Sequence, residues 1–131
     1  MAIKTKLTGT GTPALTSREI AGTVSTAVSG AGSASTDAAL LGRADHYVVS
    51  TAANNSGVIL APGNGSGSFV MTEGDSQVIT NYSGNTLLLY PPVGGKLNNG
   101  TVTTGSVSIG NGKTAVARCI DNLNFAVMVG A

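Results

Sequence analysis

Residues 74–98 read GDSQVITNYSGNTLLLYPPVGGKLN, and the order of apolar and turn-forming residues in this stretch decides the fold class. Ser76–Tyr82 is rich in β-branched side chains around Val78, Ile79 and Thr80, and Asn85–Tyr90 carries a second apolar run. Both have strand length and strand composition. Between them Ser83-Gly84-Asn85 offers residues that accept positive φ in a tight turn. Pro91-Pro92 closes the second run, because a proline inside a central strand removes a ladder donor. Leu87, Leu88 and Leu89 are consecutive and apolar, so this strand is expected to be buried on both faces, within the domain or, together with Tyr90, at a subunit contact.

The same grammar extends outward. Further strands are expected at His46–Thr51, Gly57–Ala61, Ser68–Glu73, Thr101–Ile109 in pieces, Lys113–Asp121 and Asn122–Val129. Turn residues stand between them at Pro62-Gly63-Asn64-Gly65, Glu73-Gly74-Asp75, Asn98-Asn99-Gly100, Asn111-Gly112 and Asp121-Asn122. About eight short strands at this spacing predict a mainly β domain, an antiparallel sandwich, jelly roll or small barrel, over residues 46–131. Residues 1–45 read as an N-terminal arm. Ala2–Thr8 alternates like one short strand. Thr16-Ser17-Arg18-Glu19 has capping-box spacing, and Ile20, Val24, Ala27 and Val28 follow at helical intervals; Gly22 and the β-branched Thr23, Val24, Thr26 and Val28 oppose a helix, so packing decides. Residues 29–35 form a small-residue linker, and Thr36–Leu41 has room for one helical turn before Gly42.

Composition narrows the function. Six acidic residues, seven basic residues and one histidine are spread over the chain, which leaves little raw material for acid/base or metal chemistry and points to a non-enzymatic role without cofactors. The cations do not cluster, so there is no stripe to neutralise phosphates and nucleic acid is not expected as a partner. No apolar run matches a secretory leader or a membrane span, which predicts synthesis and folding in the cytosol. A surface of Ser, Thr, Asn and Gly carries few charges to repel a second copy, and this favours an oligomer. Cys119 stands alone, so it has no disulfide partner in the chain and reads as a small buried side chain.

Fragments that resemble catalytic or ligand motifs fail on spacing. Gly110-Asn111-Gly112-Lys113-Thr114 ends like a phosphate-binding loop, but Val107 stands where the first glycine is needed, and a strand follows where a helix should open. Residues 63–68 have glycines without the spacing of a nucleotide loop. Asp45 and His46 are adjacent, yet consecutive strand residues point to opposite faces, and no serine has a nucleophile-elbow setting. Glu73 and Asp75 supply too few oxygens for a calcium loop.

The string at 74–98, continued by Val107–Asp121, resembles a β domain that recurs in small virion proteins of tailed bacteriophages, with the pattern G-D-x-x-x-I-x-N-x-(S/A)-G-x-x-(L/I)-x-(L/V)-Y-P-x-x-G-x-x-(I/L)-N followed by a hairpin. The likeness covers roughly residues 46–129; here Ala117 and Cys119 replace an aromatic usual near the end of the penultimate strand. The resemblance implies a capsid decoration or cement protein, a homotrimer on the outer shell of the virion that contacts the major capsid protein; related domains occur in head and tail fibres. On that reading the arm, with Ile3, Leu7, Leu15 and Ile20 as apolar anchors, holds neighbouring trimers or the capsid, and the β body trimerises. Ordering the arm costs about 1–2 kcal/mol per residue, so it is fixed only where such anchors find partners. The alternative is a fibre or tail receptor-binding module that grips a glycan at Asn54–Ser56 or Pro62–Ser68.

Overall fold

The computed structural model describes residues 24–42, 44–60, 71, 73–121 and 123–130. Ten strands occur among them: β1 (Val24–Ser29), β2 (Ala39–Leu40), β3 (His46–Thr51), β4 (Ser56–Ile59), β5 (Ser76–Asn81), β6 (Leu87–Tyr90), β7 (Lys96–Leu97), β8 (Val107–Ile109), β9 (Thr114–Asp121) and β10 (Asn124–Gly130). They form a six-stranded sheet in the order β1-β3-β5-β9-β10-β7 and a four-stranded sheet in the order β2-β4-β6-β8. The mainly β, two-sheeted architecture expected from the sequence is the architecture found.

The pairing within it differs from the antiparallel expectation. From β1 to β9 the chain alternates between the sheets, so each strand of one sheet is the crossover for two strands of the other. This winding makes β1, β3 and β5 parallel neighbours in one sheet, and β2, β4 and β6 parallel neighbours in the other. A parallel pair needs a long connection, and here a strand of the opposite sheet takes the place a helix commonly fills. Antiparallel pairing is confined to β5 with β9, β9 with β10, and β6 with β8. Only the β9–β10 junction is a hairpin between sequential strands of one sheet. Ser83-Gly84-Asn85 and Asn111-Gly112 are corners that carry the chain from one sheet to the other, with positive φ at Gly84 (87°) and Gly112 (80°).

Both sheets contribute to one core, which takes Val49, Ile79, Ala115, Ala117 and Phe125 from the larger and Val58, Leu87, Leu89 and Ile109 from the smaller. Val24–Ser29, whose spacing also allowed a helix, is a strand with a bulge between Ser25 and Val28 and Ala27 at φ 59°. The helical turn expected over Thr36–Leu41 is replaced by a turn and β2: the Asp37 carboxylate accepts from the Ser33 and Ala34 amides at 3.0 and 2.9 Å, and Leu41 N–H donates to Ile59 at 2.9 Å. The start of the linker is anchored on the body. Ala31 bridges Gly57, and a Cβ at Gly30 would lie 2.9 Å from Leu87 Cδ1. Gly30 has no room for a side chain because the backbone there passes directly over Leu87 and Ala52, and the sheets take in β1 and β2, which the sequence pattern gave to the arm. The Ala2–Thr8 strand, the capping box at 16–19 and most of the strand at 68–73 lie outside the described residues.

Candidate interaction surface

Residues 81–85, with Asn54 and Asn111, build a joint. Asn81, fully buried at the end of β5, donates through Nδ2 to the carbonyls of Asn85 (2.7 Å) and Ile109 (2.9 Å), and its Oδ1 accepts from the Ser83 amide (3.0 Å) and hydroxyl (2.7 Å). Asn111 Oδ1 accepts from Gly84 N–H at 2.9 Å, and Asn85 Nδ2 donates to the Ala52 carbonyl at 2.8 Å. Asn54 Oδ1 accepts from Thr86 N–H at 3.2 Å. Successive corners of the winding are therefore stitched together by asparagine side chains, which bond to backbone groups that no ladder satisfies there. Among the described residues no buried side-chain nitrogen or oxygen lacks a partner.

The outer face of the six-stranded sheet is different in kind. Strand β9 turns its small residues inward, with Ala115, Ala117 and Cys119 all buried, and presents Val116 and Ile120 outward at 41% and 57% exposure. Phe125 of β10, in register with Cys119 and 1% exposed, supplies the aromatic bulk that β9 itself lacks. In register across the sheet lie Val24 of β1, His46 of β3, Val78 of β5, Val116 of β9 and Met128 of β10. Val24 is 52% and Met128 75% exposed, so apolar side chains from four of these five strands, interrupted by His46 on β3, line a face where a sheet facing water places polar side chains.

A polar seam runs beside that row. His46 Nε2 and Thr80 Oγ1 are 2.8 Å apart, and Thr80 Oγ1 and Thr114 Oγ1 are 2.9 Å apart. The His–Thr distance is within the reach of a base for a nucleophile, but Thr80 is buried and its hydroxyl is shared with Thr114, so the contact it supports is satisfaction of three polar side chains within the sheet surface. At the corner where β7 meets the β9–β10 hairpin, a cleft of about 370 Å³ has Ile120 and Ala126 on its apolar side and Lys96, Asn99, Asp121 and Asn124 on its polar side. Lys96 Nζ donates to Asn99 Oδ1 at 3.2 Å and Asn124 Nδ2 to Asp121 Oδ1 at 2.7 Å, so the polar groups pair with one another. No group of three or more His, Cys, Asp or Glu side chains that could hold a metal ion occurs among the described residues.

Of the residues singled out from the sequence, Leu87 and Leu89 are fully buried in the core and Tyr90 is 6% exposed; its ring packs on Gly57. The run therefore takes the interior placement, and Leu88 is the one of the four that is only half-buried. Ile3, Leu7, Leu15, Ile20 and the loop at 62–68 lie outside the described residues. Asn54 is engaged with Thr86, and Ser56 is buried. Cys119 is 1% exposed, and burial pushes its thiol pKa up, with Asp75, Asp121 and Glu73 adding to the shift. The apolar row was not foreseen. Its trace in the sequence is that β9 is apolar at both parities, with the larger side chains at the even positions Val116 and Ile120. Comparison with family models, with curated proteins and with solved structures finds no match.

Proposed function

We propose that this chain is a non-enzymatic structural protein of a tailed-phage virion, a capsid decoration or cement protein that assembles as a homotrimer on the outer shell. It is made in the host cytoplasm, and its partners are its own copies and the major capsid protein. The observation that carries this reading is how the chain spends its polar groups. Asn81, Asn85, Asn111 and the Ser83 hydroxyl are consumed in the joint between the sheets, while the six-stranded sheet exposes the large apolar side chains Val24, Val116, Ile120 and Met128. Such a body is suited to contact rather than to turnover. The N-terminal arm supplies adhesion to the head through Ile3, Leu7, Leu15 and Ile20.

The test is addition of the purified protein to undecorated heads, followed by sedimentation and a thermal challenge of the particles. Saturable binding that raises the temperature of head rupture is expected, and deletion of Met1–Thr16 should abolish binding while the mass of the oligomer is kept. Failure of the full chain to bind heads removes the decoration reading, and loss of the oligomer on deletion removes the division of labour between arm and body. A second reading, a fibre or tail receptor-binding module, draws on the cleft lined by Lys96, Asn99, Asp121 and Asn124. Binding to host cells in the absence of heads would favour it.

A further inference from the structure

We propose that the outer face of the six-stranded sheet is the surface on which a second copy of this chain packs. The inference rests on the self-association in the preceding reading; one face set against the same face of another copy is a two-fold contact, joining chains, or trimers, in pairs, and it lies away from Leu87, Leu89 and Tyr90. The row Val24, Val78, Val116 and Met128 continues toward Ile120 on the same face.

Size selects the occupant. Five strands at about 4.8 Å spacing and an eight-residue β9 at about 3.3 Å per residue give a face of roughly 19 by 26 Å, or about 500 Å². Two such faces together bury about 1,000 Å², the lower bound for a specific protein–protein contact. Charge agrees with size. Arg118 and, at the end of β9, Asp121 are the charged residues exposed on β3, β5 and β9, and the whole chain is only +1, so copies brought together meet little repulsion. One cation is too few for a nucleic-acid or anionic lipid surface. The His46–Thr80–Thr114 seam keeps its hydrogen bonds inside the face, so covering it strands few polar groups.

Light scattering coupled to size exclusion, on the full chain across a concentration series, tests this. The wild type is expected as an oligomer. Val116→Asp and Met128→Asp, both at outward positions, should raise the dissociation constant by at least about tenfold while the cooperative thermal transition is kept. Val93→Asp, at an 84% exposed residue in the turn before β7, should leave the mass unchanged. If the aspartate variants do not fold, the milder double variant Val116→Thr/Met128→Gln is judged by the same shift. A wild type that is monomeric throughout, or variants that keep the wild-type mass, overturns the proposal. An oligomer that these variants dissociate, but that does not bind heads, keeps this face as the self-contact and removes the decoration reading; binding to heads by a protein whose mass ignores the variants does the reverse.

Discussion

Replacing Asn81 by leucine should destabilise this fold. The side chains are close in size, so the perturbation is the loss of four hydrogen bonds at a site with no exposure to water. Their losses are unequal. Ser83 is only half-buried and finds water, and the Asn85 carbonyl keeps the Ser83 hydroxyl at 3.3 Å. The carbonyl of Ile109, a residue with no exposed surface, loses the Asn81 amide but keeps its place in the ladder opposite Leu87, which costs about 0.5–1.5 kcal/mol. Adding roughly 0.5–1.5 kcal/mol for each of the two bonds from Ser83, and allowing for the gain from burying leucine, the net loss is about 1–3 kcal/mol. With a urea slope of about 1–3 kcal/mol/M, the midpoint followed by far-UV circular dichroism should fall by about 1 M. A midpoint within roughly 0.3 M of wild type at unchanged slope would refute the view that Asn81 holds the joint. Asn81→Asp adds a sign test. Its carboxylate would face two carbonyl oxygens, so the folded-state pKa should stand above the unfolded value of about 3.9. A raised acid favours folding in its protonated form, so the variant should lie closest to wild type near pH 4 and lose stability as pH rises from there toward 7. The opposite trend would mean that Nδ2 does not donate to those carbonyls.

Gly57→Val should cost about 1–3 kcal/mol by overpacking, because a Cβ there would lie 2.5 Å from Tyr90 Cε2 and 3.1 Å from the Leu88 carbonyl; trimming the ring with Tyr90→Leu should recover part of the loss in a double-mutant cycle. Leu89→Ala should destabilise by about 2–5 kcal/mol independently of protein concentration, while Leu88→Ala changes little; a concentration-dependent effect at Leu89 would return it to a subunit contact. The Cys119 thiol should react with a disulfide reagent at pH 8 far more slowly in the native protein than in urea, and because burial raises its folded pKa, its contribution to stability is full below the unfolded thiol pKa and is lost as pH rises above it. Backbone hydrogen bonds from Ala34 and Ser33 hold the Asp37 carboxyl below its ordinary range. Its contribution is therefore full above the unfolded pKa and lost as pH falls through the folded one, and Asp37→Ala should remove that component from melts recorded between about pH 2 and 5.

The positions of the strands were legible and their partners were not. His46–Thr51 is read residue for residue, β5, β6 and β9 fall inside the stretches expected for them, and β10 overruns its expected end by one residue, Gly130. Alternation with period two shows which residues share a face, but carries no information on the direction of the neighbouring strand. The turn signals are equally silent. Gly84 and Gly112 have the positive φ of hairpin residues, yet Asn81 and Asn111 turn those segments into corners by binding backbone groups of other coils. The leucine run at 87–89 reads as buried on both faces; Leu87 and Leu89 are buried in the core while Leu88 is only half-buried, and the facing residues that bury them, such as Ile109 paired with Leu87, are revealed by no local pattern. The helical reading around residues 24–28 loses to edge pairing with β3, a tertiary contact that overrides a weak local preference.

The apolar row follows from the winding. Nothing in their own segments marks Val24, His46 and Val78 as neighbours, since each is an outward residue on a separate strand. Parallel stacking of successive coils sets them in one register, and the antiparallel β9–β10 hairpin then continues the row through Val116 and Met128. The interior constrains the same strands from the other side. Phe125 and Ile79 flank β9 in register with Cys119 and Ala115 and fill the space beneath it, so β9 has room inside only for Ala115, Ala117 and Cys119. A close-packed core resists larger side chains at those positions, and the bulk that β9 carries, in Val116 and Ile120, stands on the opposite face. Core packing and an adhesive exterior are in this way two consequences of one strand, and a change that relieves the surface by moving volume from 116 to 117 would disturb the interior that sets the register of the row.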